Sequence, residues 1–342
     1  MDMSTNKPLV SLCCSTFSRP DLFRESLSGL LLQTYDPLEI VVLVDGGNPS
    51  SIRILEEHAD PRIRWFTTDK PSGMIAAWNS VVSRSKGKYF LYCADDDVLL
   101  DSAVDRQIDC LEQNRQVGFC HADFYFIDDQ SNRIGDWRSH EGNWIKKGLS
   151  EWEKYLRQPR CCMQTTVVRR ELWDKVGGWD EDAGYPGDNS LYLKLLRISD
   201  VGHIAHYACN YRIRTQTPDS WIKNSSKVKE DIILARKHLD IPPNNMSSRI
   251  GYLRRKVNQH FCLNALSVLA DKRGTSSERL EFIDWLTKNL LYHEGLNFLP
   301  RLLIKFRLES IAHRLQSIQF KLRRFARWTL GISKFLMQSN NR

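Results

Sequence analysis

Short apolar runs alternate with helix-period segments through the first half of the chain. Residues 9–15 are almost continuously apolar and predict a buried strand, after which Phe23, Leu27, Leu30 and Leu31 recur at helical intervals. Ser18 and Asp21 have the spacing of a capping box at the start of that helix. A β-branched run at 40–44 ends in Asp45, Gly46 and Gly47, and a helix is expected over 51–58. A short strand follows at 62–67, then a helix over 73–84 with Met74, Ala77, Trp78 and Val81 on one face, then the strand Tyr89–Ala94. This βαβαβαβ succession predicts the α/β class, a mostly parallel sheet with right-handed crossovers.

The pattern then changes twice. A helix is expected over 102–114, a strand over 118–127 and a polar turn over 128–133, whereas residues to about 210 mix Trp, Gly and acids without one period. That irregular stretch is where an acceptor site has room to form. Beyond Trp221 strand signals stop, and helices are expected over 227–239, 249–270 and 277–291, separated by Pro242-Pro243-Asn244-Asn245 and Arg273-Gly274. Thr275 and Glu278 make another capping-box spacing. Residues 1–225 are thus expected to form the α/β domain and 226–342 a helical extension.

Chemistry concentrates at Asp95, Asp96 and Asp97, directly after the apolar run Tyr89–Ala94. The carboxyl ends of parallel strands are where open α/β sheets bind ligands. Three adjacent acids repel one another unless a cation or a set of donors compensates them, and carboxylate oxygens suit Mg²⁺ or Mn²⁺. A divalent-metal site and a solvated acidic turn leading into the helix after Asp101 and Ser102 are both consistent with these residues.

Composition narrows the classes. With 42% hydrophobic residues and ten tryptophans among 342, the chain is not a disordered one. No apolar run approaches the ~18 residues of a membrane span, and the run from Leu9 to Cys14 is too short for a secretory leader, so a cytoplasmic location is expected. Nine cysteines without CxxC spacing read as reduced thiols. His121, His140, His203 and His206 lack zinc-site spacing. Neither a dinucleotide fingerprint, a Walker lysine motif nor a Gly-x-Ser-x-Gly elbow occurs.

The net charge of +8 is unevenly spread: residues 301–342 hold ten Arg or Lys against Glu309, so this tail carries +9 and the remainder −1. Leu308, Ile311, Leu315, Ile318, Leu322 and Phe325 repeat there at three-four spacing beside the basic residues. Such a segment fits an anionic membrane surface, here the inner face of the plasma membrane. The same spacing fits a coiled-coil dimer or packing on preceding helices. Nucleic-acid binding is not expected, because no recognisable binding module accompanies the charge.

Taken in order, the run from Val10 to Pro20, Gln33-Thr34-Tyr35, the run from Glu39 to Gly46, Ala77-Trp78-Asn79, Asp95-Asp96-Asp97 and Gly177-Gly178-Trp179-Asp180 resemble the family 2 glycosyltransferases of GT-A fold, over roughly residues 8 to 215. The resemblance implies a Rossmann-like central sheet, a nucleotide-diphosphate sugar donor (UDP is the expected nucleotide), a metal-bound diphosphate and inversion at the anomeric carbon. It places Ser15, Phe17 and Asp45 at the nucleotide base, with Phe17 stacking where the family usually has Tyr, and Asn79 in the donor site. Asp96 takes the metal-ligating position, Asp95 the neighbouring ribose or metal contact, and Asp97 a supporting place at the metal. Asp188 takes the position of the catalytic base.

Four departures stand out. Ala94 sits where many members carry another Asp, Trp78 where an Arg is frequent, Gly187 where a Glu precedes the base, and Arg214 where a His follows Tyr-Arg. The expected activity is a metal-dependent inverting transfer of a sugar to a hydroxyl of a glycan or lipid-linked acceptor, in surface-polysaccharide synthesis. Two alternatives stay open: a degenerate domain serving as a membrane-associated assembly factor, motivated by Ala94, Trp78 and Gly187, and a nucleotidyltransferase, against which the missing Gly-rich, Lys-bearing phosphate loop counts.

Overall fold

The computed structural model describes residues 7–289 except 159–160, 215–219, 270, 272–273, 287 and the side chains of 220–222, 245, 263, 266 and 276. The expected amphipathic tail at 308–325 lies outside the described residues. The chain divides into two compact units.

The first unit comprises the described residues of Met1–Trp152, Pro159–Asp182 and Gly187–Arg214. Its leading elements are β1 (Val10–Thr16), α1 (Pro20–Leu31), β2 (Leu38–Val44), α2 (Pro49–Glu56), β3 (Ile63–Thr67), α3 (Met74–Ser83) and β4 (Tyr89–Ala94). Then come β5 (Val98–Leu99), α4 (Asp105–Gln113), β6 (Val117–Ile127), β7 (Arg133–Trp137), β8 (Trp144–Lys146) and α5 (Gly148–Tyr155), whose residues from Glu153 on are counted in the second unit. The remainder is β9 (Thr166–Arg169), α6 (Arg170–Val176), α7 (Gly187–Leu195) and β10 (Asp200–Arg212).

One ten-stranded sheet runs β3-β2-β1-β4-β9-β6-β10-β5, with β7 on β6 and β8 on β10. Strands β3, β2, β1 and β4 are mutually parallel, as the alternating pattern predicts. Nearly every residue of β1, β2 and β4 is buried, which is why these strands read as continuous apolar runs.

Antiparallel β9 separates β4 from β6, an insertion the local pattern does not reveal. Its Arg169 is only 6% exposed. The guanidinium donates to Tyr89 Oη at 2.9 Å, Leu111 O at 2.9 Å and Val117 O at 3.3 Å. A buried cation is tolerated only when its donors are satisfied in this way.

Helix starts show which local signals prevail. The expected Ser18–Asp21 box does not form: Arg19 is the residue before α1, no side chain caps it, and Pro20 opens the helix. Asn48 caps α2, its Oδ1 accepting from Ser50 N at 3.0 Å and Ser51 N at 3.2 Å. The expected helix at 102–114 begins later, at Asp105, and Ser102 has a φ of 58°.

The second unit contains α8 (Ser220–Asp240), α9 (Ile250–Leu269) and α10 (Ser276–Leu286). Its interior includes Ile232, Leu239, Val257, Phe261 and Phe282. The Thr275–Glu278 box does form: Thr275 N donates to Glu278 Oε2 at 2.7 Å, and Glu278 N to Thr275 Oγ1 at 3.3 Å. Among the described residues no helix is long and apolar enough to cross a membrane.

Candidate active site

The acidic triplet forms the turn from β4 into β5, with Asp97 N donating to Ala94 O. Two-residue β5 then pairs antiparallel with β10, so the C-terminal end of β10 is drawn beside the acids. Three identical side chains thereby acquire three environments.

Asp97 is turned inward. It is 2% exposed, and its Oδ1 accepts the backbone N–H of Arg212 at 2.7 Å. Burial, reinforced by the charge of Asp96, pushes its carboxyl well above the usual carboxylate range. Through the Arg212 N–H this carboxyl anchors the end of β10.

Asp96 is the rim acid. Its Oδ2 receives Arg19 Nη1 at 2.5 Å and Arg214 Nε at 3.1 Å, and its side chain retains 17% exposure. Asp95 is buried and paired through Oδ1 with Arg19 Nη2. Burial pushes its carboxyl up while Arg19 opposes the shift. Its Oδ2, beside the Thr16 hydroxyl, has no hydrogen-bond partner at normal geometry.

The arginines are the donors that the sequence's three acids call for. Arg212, also buried, donates Nε–H to Asp96 O at 2.8 Å and pairs with Glu25 at 2.6 Å. The only local signal for Arg19 is a lone cation just past an apolar strand. Its partners lie 76 and 77 positions away, so sequence reasoning gives it no role.

Asp95 and Asp96 are the side chains placed to seat Mg²⁺ or Mn²⁺. Among the described residues no three His, Cys, Asp or Glu side chains converge as a metal group. Magnesium, however, commonly uses one or two carboxylates plus substrate phosphates and water. The orphaned Asp95 Oδ2 beside the rim carboxylate of Asp96 fits that mode.

The residues expected at the base gather around the ends of β1 and β2. Phe17 is 53% exposed, an unusual setting for a large ring. Gly46, at φ 75°, has no space for a Cβ, which would meet Pro71 Cγ at 3.0 Å and the Phe17 ring at 3.4 Å. Phe17, Gly46 and Pro71 thus adjoin, leaving an open aromatic face for stacking.

Asp45 is 5% exposed and accepts from Thr68 Oγ1 at 2.8 Å and from Ser72 N and Oγ at 2.9 Å each. It ties the end of β2 to the loop before α3, while capping of α2 falls to Asn48. Ser15 shares a 2.6 Å hydrogen bond with the buried Tyr92 hydroxyl. Asn79 lies deeper: its Nδ2 donates to Trp179 O at 3.0 Å and its Oδ1 accepts from Trp179 N at 2.9 Å, a clamp on a backbone turn.

Asp188 stands in the first turn of α7, partly exposed, with its Oδ1 accepting from Asn189 N at 2.8 Å. Burial chiefly, then the charges of Cys162, Asp97, Asp188 and Asp96, push the Tyr211 hydroxyl well above its ordinary value. One phenol therefore lies within electrostatic reach of both acidic groups.

Residues 11–177 match the family model described as glycosyl transferase family 2. An uncharacterised glycosyltransferase of Rickettsia typhi is 27% identical over 203 residues, covering 59% of this chain and 63% of its own length. The chondroitin synthase of Escherichia coli is 25% identical over 263 residues, covering 75% of this chain and 35% of that protein. Among solved structures, Staphylococcus aureus TarS 1–349 in complex with UDP-GlcNAc superposes with a TM-score of 0.61 at 13% identity, over 82% of this chain and 80% of that one. The last likeness is one of fold, the GT-A arrangement.

Proposed function

We propose, from the match of residues 11–177 to the glycosyl transferase family 2 model, that this chain belongs to that family and is a metal-dependent, inverting transferase that moves a sugar from UDP to a hydroxyl of a glycan or lipid-linked glycan acceptor. The observation that carries the reading is the β4–β5 turn. It sets a rim acid and a half-orphaned neighbour at the strand ends that also bear Phe17 and Asp45. UDP-GlcNAc in the TarS complex supports the nucleotide, and the chondroitin synthase relative supports a glycan acceptor.

Phe17 stacks on the base, and Asp45, oriented by Thr68 and Ser72, presents its carboxylate edge beside it. Asp96 and Asp95 would hold Mg²⁺ or Mn²⁺, which when bound neutralises charge growing on the departing diphosphate. Arg19 and Arg214, which share Asp96 Oδ2, are placed to exchange that carboxylate for phosphate oxygens. Asp188 takes the acceptor's hydroxyl proton as the acceptor oxygen bonds to the anomeric carbon. The bond from that carbon to the diphosphate oxygen breaks, and UDP leaves with its electron pair.

The first test is a comparison of nucleotides. UDP with Mn²⁺ should raise the melting temperature more than GDP, dTDP or CMP does, since a ligand that binds only the folded state stabilises it by mass action. UDP should then be released from a UDP-sugar in the presence of acceptor. Nucleotide binding without release from any UDP-sugar overturns the transferase reading, and release of pyrophosphate identifies a nucleotidyltransferase instead.

The basic tail extends the proposal to a membrane surface that would present a lipid-linked acceptor. The full chain should sediment with anionic liposomes, less so as salt rises, and a version ending at Leu299 should not. Equal sedimentation of the two excludes this role for the tail.

A further inference from the structure

Two of the chain's departures from the family pattern meet in space. A Cβ on Gly187 would come to 2.8 Å from Ile75 Cδ1, 3.0 Å from Ile75 Cγ1 and 3.1 Å from Trp78 Cζ3. Gly187 is not among the described residues with positive φ, so close approach and not backbone angle demands glycine here. Trp78 is 9% exposed, with ring centroids 5.6 Å from Tyr92 and 5.9 Å from Trp179.

The start of α7 is held to α3 by a second route. Asn79 grips both backbone groups of Trp179. The turn after Trp179 is tied to α7 by Asp180 N donating to Ser190 Oγ at 3.0 Å and by the Lys194–Asp180 pair at 2.8 Å. Ser190 Oγ in turn donates to Gly187 O at 2.6 Å. Trp78 also adjoins Tyr92, which holds the Ser15 hydroxyl of β1. One indole therefore touches both the donor side of the sheet and the backbone immediately before Asp188.

We propose that Trp78, together with Ile75, is a positioning residue for Asp188, and that Gly187 is glycine so that the first turn of α7 can settle against that pair. The proposal rests on the reading of Asp188 as general base. It explains why Trp78 and Gly187 occur together: a Cβ at 187 would press on the indole as well as on Ile75. These residues act through the position of a carboxylate, and an error of about 1 Å in a reacting group can cost about 10² in rate.

The test is a set of variants measured for kcat, donor KM and UDP affinity. Gly187→Ala should lower kcat about 10²-fold while UDP affinity stays within about twofold. Ile75→Ala combined with Gly187→Ala removes both closest atoms and should recover at least about tenfold of that loss. Added to Asp188→Asn, Gly187→Ala should change the residual rate by less than about twofold, because there is no longer a proton acceptor to misplace.

Wild-type kcat in Gly187→Ala, no recovery with Ile75→Ala, or an equal further loss on the Asp188→Asn background overturns the inference. Should Gly187→Ala fail to fold, Trp78→Phe serves: it should reduce kcat with UDP affinity retained, and unchanged kcat or a parallel loss of affinity overturns the inference. A wild-type protein that releases UDP from no UDP-sugar overturns the transferase reading itself, a result distinct from any of these.

Discussion

Replacing Asp96 with Ala is expected to abolish Mn²⁺-dependent turnover while leaving the fold intact. Metal stabilisation of a leaving group is worth several kcal/mol, so a loss of at least about 100-fold in kcat is expected. The same change should remove the Mn²⁺ enhancement of UDP affinity, a readout independent of turnover. Stability should change little, because the partners left behind, Arg19 and Arg214, have side chains 34% and 46% exposed and can be solvated. Asp97→Asn makes the contrast. Asp97 is inward, and the amide oxygen of Asn can still accept the Arg212 N–H, so Mn²⁺-dependent UDP binding should persist. Full activity of Asp96→Ala at saturating donor would refute the assignment.

Asp188→Asn is expected to lower kcat by about 10² to 10⁴ with nearly unchanged UDP affinity, the range of general-base contributions. Asn keeps the size of the side chain and an oxygen able to accept from Asn189 N, so the first turn of α7 should remain as it is. The measurement is kcat against pH together with UDP affinity and melting temperature. A fall in melting temperature alone, with kcat preserved, would make Asp188 a helix-start residue and leave the base unassigned.

Both predictions depend on acids that the sequence locates without ranking. Local pattern suffices for the parallel half of the sheet, since buried strands must be apolar throughout and the intervening helices must show one apolar face. It also suffices to put Asp95, Asp96 and Asp97 at the carboxyl end of β4, because an apolar run that gives way to charges marks the end of a buried strand. The motif order carries the resemblance to the family, and residues 11–177 match its model. The second-unit helices and the Thr275–Glu278 box were legible for the same reason: each depends on residues three or four positions apart.

The work of each acid was decided only by tertiary structure. Neighbours in sequence are chemically identical here, yet Asp97 meets the end of β10, 115 residues on, while Asp96 meets Arg19 from the other side of the turn. Antiparallel β9 enters between β4 and β6 by pairings that no local period encodes. Asn79 resembles a donor contact in sequence, whereas 100 residues further along the Trp179 backbone occupies both ends of its amide. Gly187 reads as the loss of a family acid until its contacts with Ile75 and Trp78 are known. Sequence determined the elements of the parallel half-sheet, the helices of the second unit and the strand ends that carry the chemistry, because propensity and burial period act over a few residues. Tertiary structure decided which side chain is rim, anchor or seat, because charge compensation and close packing depend on whatever the fold brings within a few ångströms.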